Sequence, residues 1–573
     1  MNTHRLFLFT NPILFTLSIA ITLILTLIGA ISLPFSKTMY IHTGYYFILG
    51  LVITYVFILI FEWRNIGPHA NQFWAKNWQG ALFAFCISSL IFISVPTRHR
   101  VLNDELHLLS VAKTMTLEQK VQRDKEVWKQ NPEFLPSPRI DKRPILFPFF
   151  ISLLHTILGY QLSNIFIVNY LSLCGFLFGL YCFLRRYLAR TWCMAALLLV
   201  VAQPIIPLCA TSGGLETCNL AFIMLSFLSL RYFLDTPSTS RLQLLILHLL
   251  LLANIQYASA LFLILILGVI GLMGHIKKPL LQQPSLIPIT SLFLLPLIWQ
   301  RIIMLQTIDS NFPTGTTASA FGLKYLVQNT ALLPEYFFDL TAKAGGLAGI
   351  INIIGTIALV LLISRFLWTT RSLPKDLLTL IIAIITPLSV ISFLVLLYYG
   401  GINNHPMNAR LYLLWVITLS VSPIILAKIL LPELHRHGAI ILLFSAILFL
   451  FYHPVATTDP LFHKGKYVKE FEFLCDFWKK RPLKNNLIIY RNSPDIDPLL
   501  NDAISIQTAR KWKTLILKQH KQNMYNNIYV IQRFSCSTGI PYKKDILDNK
   551  FSLATLAEKK IYDDICFRIA IVK

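Results

Sequence analysis

The sequence predicts an all-α polytopic membrane protein, with about 13 transmembrane helices and a small C-terminal α/β extramembrane domain. Of the 573 residues, 55% are hydrophobic and only 14% are charged, whereas soluble proteins carry about 25% charged residues. Several apolar stretches exceed the ~18 residues that a helix needs to cross a bilayer. Residues 453–573 are instead polar and contain only short apolar runs, which predict strands between helical stretches.

The apolar segments divide the chain into three predicted regions. Residues 1–79 hold two N-terminal transmembrane helices, 80–452 form the transmembrane core, and 453–573 form the C-terminal domain. The predicted spans are 12–33, 44–62, 80–96, 163–184, 191–210, 218–234, 240–254, 258–274, 284–304, 346–367, 376–399, 410–431 and 438–452. The polar residues 254–259 interrupt a run that is too long for one ordinary helix, so we predict a break there.

Positive charge predicts the orientation. The formal net charge is +24, and Lys and Arg concentrate in the cytoplasmic loops of membrane proteins. Alternate short connections carry Arg64, Lys76, Arg185, Arg186, Arg190, Lys277, Lys278, Arg371, Lys375 and Arg436. We therefore expect a cytoplasmic N-terminus and, with an odd number of spans, an extracytoplasmic C-terminal domain. Attraction to an anionic substrate or to membrane lipids is the alternative, whereas charges spread over many loops argue against a nucleic-acid partner.

Two predicted outer loops are long, at residues 97–144 and 305–345. Neither is of low complexity, and loops of this length are usually functional or disordered, so we favour function. The segment 145–160 after the first loop is short and contains His155, which predicts a helix lying at the membrane interface.

An acidic pair begins the segment 102–115, LNDELHLLSVAKTM, at the predicted outer surface. Asp104 and Glu105 suit the first turn of a helix, where acidic residues interact favourably with the helix dipole, and Asn103 suits its cap. This structural role is one interpretation of the pair. The other is catalytic, because a carboxylate at this place can act as a general base.

Together with the segment 142–148, KRPILFP, this pair resembles the outer loop of the GT-C superfamily of membrane glycosyltransferases. The protein O-mannosyltransferases and the lipid A aminoarabinose transferases, of the glycosyltransferase 39/83-like families, are the most similar. These enzymes carry an Asp-Glu pair in a pattern like D-E-a-x-Y-x-x-x-A, and Leu108 replaces its tyrosine here. The resemblance covers roughly residues 80–452, and the first two spans are an addition to the usual core.

Two further segments contribute to the resemblance. Residues 404–412, NHPMNARLY, are similar to the family's Arg-Tyr segment, with Leu411 inserted, and 210–216, ATSGGLE, ends in the place of a second acidic residue. The helix containing Asn169 keeps the family's asparagine but lacks the arginine usually found before it. A lysine common in the family's central helices is also replaced, since Asn254 and Gln256 stand there.

The resemblance implies transfer of a sugar from a polyprenyl-phosphate donor to a lipid, glycan or protein acceptor, on the outer face and with inversion. Asp104 would be the general base, and Glu105 would orient the acceptor or a divalent metal ion, which prefers oxygen ligands. Arg410 and Arg143 would bind the donor phosphate. Glu216 and His405 would be additional acceptor or metal residues. No metal is established by these residues.

Each of these secondary assignments has an alternative. Arg410 at a helix end can simply extend its guanidinium towards water, and Arg143 can contact lipid head groups. His405 can be a residue that binds neither an acceptor nor a metal. Glu216, expensive to bury at the end of a span, can instead be solvated.

Two other kinds of protein remain as alternatives. An O-antigen ligase or polymerase also uses polyprenyl-linked glycans, but such enzymes usually have a late large loop with catalytic arginines. A transporter or flippase would show internal repeats and buried midplane charges, which we do not find. The absence of any N-x-S/T sequon favours a bacterial inner membrane, with the C-terminal domain in the periplasm. Cys475, Cys536 and Cys566 in that domain permit one disulfide.

Overall fold

The backbone is predominantly helical up to residue 459 and mixed beyond it. The computed structural model describes residues 12–124, 126–134, 138–275, 286–306, 321–341, 346–369, 374–398, 406–430, 437–459, 466–479, 485–490, 502–543, 545–547 and 551–573. Contacts along this part of the chain divide it into two compact units. Unit 1 comprises residues 1–98, 142–150 and 165–461, and unit 2 comprises 99–141, 151–164 and 462–573.

Long helices dominate the sequence up to the C-terminal region. In chain order they are α1 (Pro12–Ile31), α2 (Leu33–Ser94), α3 (Leu102–Glu118), α4 (Leu146–Leu158), α5 (Asn164–Arg185), α6 (Arg190–Val201), α7 (Ile205–Ala210), α8 (Glu216–Asp235), α9 (Thr239–Ala253), α10 (Ala260–Leu272), α11 (Leu286–Gln306), α12 (Leu323–Phe337), α13 (Gly349–Thr369), α14 (Lys375–Leu397), α15 (Leu413–Leu430) and α16 (Gly438–Thr457). Short 3₁₀ turns at Tyr257–Ser259 and Pro406–Tyr412 precede α10 and α15.

These helices are those of an integral membrane protein. In the described part of the chain, eight helical segments are long and apolar enough to cross a bilayer, and six shorter helices are also apolar. Large apolar side chains on them are exposed, including Ile93 (84%) and Trp368 (91%). Apolar exposure over this length suits contact with lipid rather than water. The predicted fold class is confirmed, whereas the number of about 13 spans stays a prediction.

Two details of the spans differ in how well they were predicted. The break expected within 254–259 is confirmed, because α9 ends at Ala253 and α10 begins at Ala260. The predicted spans 44–62 and 80–96, by contrast, both lie in α2, a continuous helix of 62 residues. Two separate candidate spans, Leu33–Glu62 and Gln72–Ser94, nevertheless lie within this helix. The polar residues there lower the hydropathy, which reports the preferred solvent of a segment and not its backbone conformation.

Inside unit 1 the helices pack through small residues and a buried polar network. A Cβ on Gly355 of α13 would lie 2.2 Å from the carbonyl oxygen of Leu419 in α15, so the two backbones approach closely. Gln203 donates to Asn352 Oδ1 at 2.8 Å and accepts from the Ala348 backbone N–H at 2.8 Å. Both side chains are fully buried, and their mutual bonds satisfy groups that would be costly in an apolar interior.

Unit 2 contains a five-stranded sheet. In the C-terminal region the elements are α17 (Lys466–Lys479), β3 (Asn486–Tyr490), β4 (Asp502–Ser505), α18 (Ile506–Lys511), α19 (Lys513–Lys521), β5 (Asn527–Ser535), β6 (Leu553–Tyr562) and β7 (Ile565–Val572). The strand order is β4-β3-β5-β7-β6. The β3 strand pairs in parallel with β4 and β5, and β7 pairs antiparallel with β5 and β6. The predicted small α/β domain is thereby confirmed.

The 97–144 loop contributes to the same unit. It contains α3 and a two-stranded ribbon, β1 (Arg123–Asp124) with β2 (Pro138–Arg139). Val127 bridges Ala503 of β4 by two backbone hydrogen bonds of 2.8 and 2.7 Å. Trp128 is buried among Leu487, Ile504 and their neighbours. Unit 2 therefore joins this loop to the C-terminal region, whereas the sequence predicted a domain of 453–573 alone.

Candidate functional site

The acidic pair occupies the first turn of α3. The backbone N–H groups of Asp104 and Glu105 both donate to the carbonyl oxygen of Val101, at 2.9 and 3.1 Å. Acidic side chains are favourable in this position because the helix dipole is positive at its N-terminus. The two carboxylates nevertheless differ, since Asp104 is partly exposed and Glu105 is wholly buried. Only Asp104 is thus accessible to a substrate in this conformation.

The buried carboxylate of Glu105 lies against a histidine. His99 Nδ1 is 3.2 Å from Glu105 Oε2, and the side chains are 7% and 0% exposed. A buried carboxylate is costly unless a partner compensates it. His99 was not singled out from the sequence, because a lone histidine before a helix carries no periodic or motif signal.

A second histidine, His107 within α3, lies close to the end of the loop. His107 Nδ1 lies 3.4 Å from Asp141 Oδ2, and Asp141 is nearly buried while His107 is one-quarter exposed. Asp104 and His107 are three residues apart and therefore share a face of the helix. The residues Asp104, Glu105, His99, His107 and Asp141 are referred to below as the α3 cluster. The i, i+3 spacing of Asp104 and His107 is the sequence signal that could have indicated it.

In unit 1, two of the predicted site residues form an ion pair. Arg410 Nη1 lies 2.9 Å from Glu216 Oε1, with the side chains 18% and 13% exposed. Glu216 is the first residue of α8, and Arg410 lies in the 3₁₀ turn before α15. Arg410 is therefore not an isolated helix-end arginine, and Glu216 is not simply solvated. The partial exposure leaves the pair, called the α8 ion pair below, accessible to an anion.

Asn169 supports the turn that leads into Glu216. Its Nδ2 donates to the carbonyl oxygens of Ser212 and Gly214, at 2.7 and 2.8 Å, and the side chain is fully buried. The Gly214 N–H donates to Ser212 Oγ at 3.1 Å. A Cβ on Gly214 would lie 2.0 Å from Glu216 Oε2. A side chain at this position would therefore displace the Glu216 carboxylate.

An apolar pocket of about 70 Å³ lies between helices of unit 1. It is lined by Phe176, Leu220, Ile223, Met224, Phe227, Phe262, Ile384, Leu388, Leu414, Ile417 and Thr418. Leu220 follows Glu216 by four residues on α8, and Leu414 follows Arg410 by four residues into α15. The helix α8, which begins with Glu216, and the helix α15, which follows the turn holding Arg410, thus both line the pocket.

The remaining predicted residues are less informative. Arg143 is partly buried, and its backbone carbonyl oxygen accepts a hydrogen bond of 2.6 Å from Gln300 Nε2. His405 lies outside the described residues. Asn254 and Gln256, noted in place of a family lysine, belong to the break before α10, where the Asn254 carbonyl oxygen accepts from the Leu146 N–H at 2.8 Å. Asn254 therefore helps to fix the start of α4.

The described residues do not fit a metal ion. Among them, no group of three or more His, Cys, Asp or Glu side chains is arranged to hold one. Glu105, the predicted ligand, is buried against His99. A hard cation needs several oxygen ligands around one point, and neither the α3 cluster nor the α8 ion pair supplies them.

Comparisons with known proteins find distant likenesses among solved structures. ArnT from Cupriavidus metallidurans bound to undecaprenyl phosphate is 13% identical over 85% of this chain and 97% of that chain, with a TM-score of 0.43. The apo state of ArnT from the same organism is 13% identical over 86% of this chain and 98% of that chain, with a TM-score of 0.42. An Archaeoglobus fulgidus oligosaccharyltransferase in complex with Zn and sulfate is 11% identical over 74% of this chain and 62% of that chain, with a TM-score of 0.41.

All three likenesses are below 25% sequence identity and have TM-scores below 0.5. Their identities and TM-scores are too low to assign an activity or a ligand to this chain. No family model matches the sequence, and no curated protein matches it. The functional argument therefore depends on the residues themselves.

Proposed function

We propose that this protein is a membrane glycosyltransferase that uses a polyprenyl-phosphate sugar as donor and transfers the sugar, with inversion, to a lipid, glycan or protein acceptor. The observation that carries the proposal is the α8 ion pair with its apolar pocket. A partly exposed arginine suits a phosphate, and the apolar pocket lined by α8 and α15 suits part of a lipid tail. A donor of this class has both parts.

In the proposed reaction, the carboxylate of Asp104 removes the proton from an acceptor hydroxyl or amine. The acceptor then bonds to the anomeric carbon, and the bond from that carbon to the phosphate oxygen breaks, leaving the electron pair on the lipid phosphate. Arg410 would compensate this charge by bidentate hydrogen bonding. Displacement in one step from the opposite side inverts the anomeric centre. No step is assigned to a metal.

Glu216 has a defined part in this proposal. Its carboxylate holds Arg410 at 2.9 Å, so the guanidinium is oriented before the donor arrives. The donor phosphate, a diester with one negative charge and two unesterified oxygens, would compete for the same N–H groups. Arg143 remains a second proposed phosphate ligand, and His405 a further proposed acceptor or metal residue.

The proposed location is a bacterial inner membrane, with the N-terminus in the cytoplasm and unit 2 in the periplasm. The disulfide between Cys536 and Cys566 supports this orientation, because disulfides persist in oxidising compartments such as the periplasm. Transfer on this side also explains a lipid-linked donor, since nucleotide sugars are cytoplasmic metabolites.

The test is a transfer assay with the full-length protein in lipid nanodiscs. Polyprenyl-phosphate sugars extracted from a bacterial host would be added with an acceptor panel, and mass spectrometry would follow donor, free polyprenyl phosphate and glycosylated product. We expect donor to be consumed with equimolar polyprenyl phosphate. Movement of intact donor across the bilayer of proteoliposomes, without cleavage, would instead support a flippase and contradict the proposal.

A further inference from the structure

The α3 cluster contains a histidine that the proposed reaction does not use. His99 lies between α2 and α3, is almost buried, and has its Nδ1 3.2 Å from the wholly buried Glu105 carboxylate. The Glu105 side chain has no exposed surface, so a substrate cannot contact it in this conformation. Glu105 directly follows Asp104 in the first turn of α3.

The His99 ring also contacts a residue of the C-terminal region. The ring lies edge-on to Phe471 of α17, with centroids 5.2 Å apart and planes at 86°. Edge-to-face packing of this kind is directional and stabilises one ring orientation. Phe471 is 4% exposed. His99 is therefore held on one side by a carboxylate of the loop and on another by an aromatic ring of the C-terminal region.

The helix α17 is itself anchored to the sheet. Glu470, adjacent to Phe471, forms an ion pair with Arg533 of β5, and both side chains are largely buried. A buried, charge-assisted pair has one strongly preferred geometry. A continuous series of contacts thus runs from β5 through α17 and His99 to Glu105, all within unit 2.

We propose that His99 is a positioning residue for the acidic pair, and that Phe471 makes the C-terminal region part of this support. The inference rests on the proposed function for its catalytic consequence, but not for its structural one. His99 does not touch the substrate in this proposal. It holds Glu105, and Glu105 holds the turn from which Asp104 projects.

The variants separate the ring nitrogen next to the Glu105 carboxylate from the volume of the ring. His99→Leu removes the nitrogen and keeps apolar bulk, whereas His99→Asn retains an N–H group near the position of Nδ1. His437→Asn, at an exposed histidine before α16, is the matched control. Glu105→Gln, alone and combined with His99→Leu, completes a double-mutant cycle.

In the transfer assay, we expect His99→Leu to lower kcat about 10–100-fold, as for other residues that orient a reactive group. The donor KM should stay within about 2-fold, because the α8 ion pair is unchanged, and His99→Asn should recover most of the loss. His99→Leu should cost little more in the Glu105→Gln background, since both changes break one contact. Wild-type kcat in His99→Leu, or equal losses in His99→Leu and His99→Asn, would overturn the inference.

Hydrogen exchange of residues 102–110 provides a readout that needs no turnover. Faster exchange of this segment in His99→Leu than in wild type, with protection restored in His99→Asn, is the expected result. Unchanged exchange in His99→Leu would overturn the positioning role. If the wild type consumes no donor while exchange responds as expected, the proposed function fails and the positioning of α3 by His99 stands.

Discussion

The carboxylates of Glu105 and Glu216 are both paired with a base, yet their surroundings differ. Glu105 and His99 are closed off from solvent, at 0% and 7% exposure, whereas Glu216 and Arg410 are 13% and 18% exposed. A fully buried pair has no competing ligand and serves as support. A partly exposed pair can exchange one partner for an anion that diffuses in. The proposed roles follow this difference, with support in the α3 cluster and ligand binding in the α8 ion pair.

The largest expected effect concerns Asp104, the exposed member of the acidic pair. Asp104→Asn keeps the side-chain volume but removes the basic oxygen, so we expect kcat to fall by at least ~10²-fold. The measurement is initial-rate mass spectrometry of product at equal amounts of folded protein. Asp563→Asn, at an exposed carboxylate of unit 2, is the control and should be as active as wild type. An active Asp104→Asn would place the base elsewhere.

A smaller effect is expected from Arg410. Removing a charged hydrogen-bond partner costs about 1.5–3 kcal/mol, so Arg410→Gln should weaken donor binding by roughly 10–150-fold. Arg410→Lys should be intermediate, because lysine keeps the charge but not the planar fork. Binding of polyprenyl phosphate by microscale thermophoresis is the measurement.

Glu216 distinguishes two explanations of that result. If phosphate displaces the carboxylate from Arg410, Glu216→Gln should bind polyprenyl phosphate at least as tightly as wild type, because the competitor has lost its charge. Weaker binding by Glu216→Gln would show that orientation of Arg410 matters more than competition. Equal binding by Arg410→Gln and wild type would contradict the assignment of Arg410.

Asn169 tests whether the turn before α8 supports the ion pair. Asn169→Leu leaves the buried carbonyl oxygens of Ser212 and Gly214 without their donor, which costs about 1–3 kcal/mol for each group. We expect roughly 10-fold weaker donor binding and a lower unfolding temperature. Asn164→Leu, on the same helix, is not a suitable control because Asn164 also binds its neighbours. An unchanged binding constant in Asn169→Leu would limit this residue to a structural role.

The helices were predictable from the sequence because apolar runs of span length directly report burial in lipid. Two strands of unit 2, β4 and β6, lack such a signal. The strand β4 has four residues, and β6 is an edge strand with Glu558, Lys559 and Lys560 exposed. An edge strand buries little apolar surface, so its sequence does not alternate clearly.

Residues of the candidate site were predictable one at a time, but their pairs were not. Glu216 and Arg410 were each singled out as charges at the ends of spans, and their contact depends on how α8 and the turn before α15 pack. His99 was not identified at all, because its partners are Glu105 and Phe471, and Phe471 comes from the opposite end of the chain. Long-range packing of this kind leaves no periodic trace in a single sequence.

The smallest effect on transfer is expected from the disulfide. Cys536 and Cys566 are 30 residues apart in the sequence, and closing a loop of this length stabilises a fold by about 3–4 kcal/mol. The double variant Cys536→Ser, Cys566→Ser should therefore unfold its C-terminal strands at lower temperature. Transfer at 25 °C should change by less than about 2-fold, since one or two kcal/mol of spare stability suffices to keep the native state populated.

Limited proteolysis across a temperature series, with and without reductant, is the measurement. Reductant should destabilise the wild type and leave the double variant unchanged. Cys475→Ser is the matched control, because burial raises the pKa of the Cys475 thiol to about 12 and keeps it protonated and unreactive at neutral pH. A wild type that is insensitive to reductant while Cys536 and Cys566 label freely with maleimide would show that the bond is absent. The main support for an oxidising location of unit 2 would then be lost, while the assignments of Asp104 and Arg410 would stand.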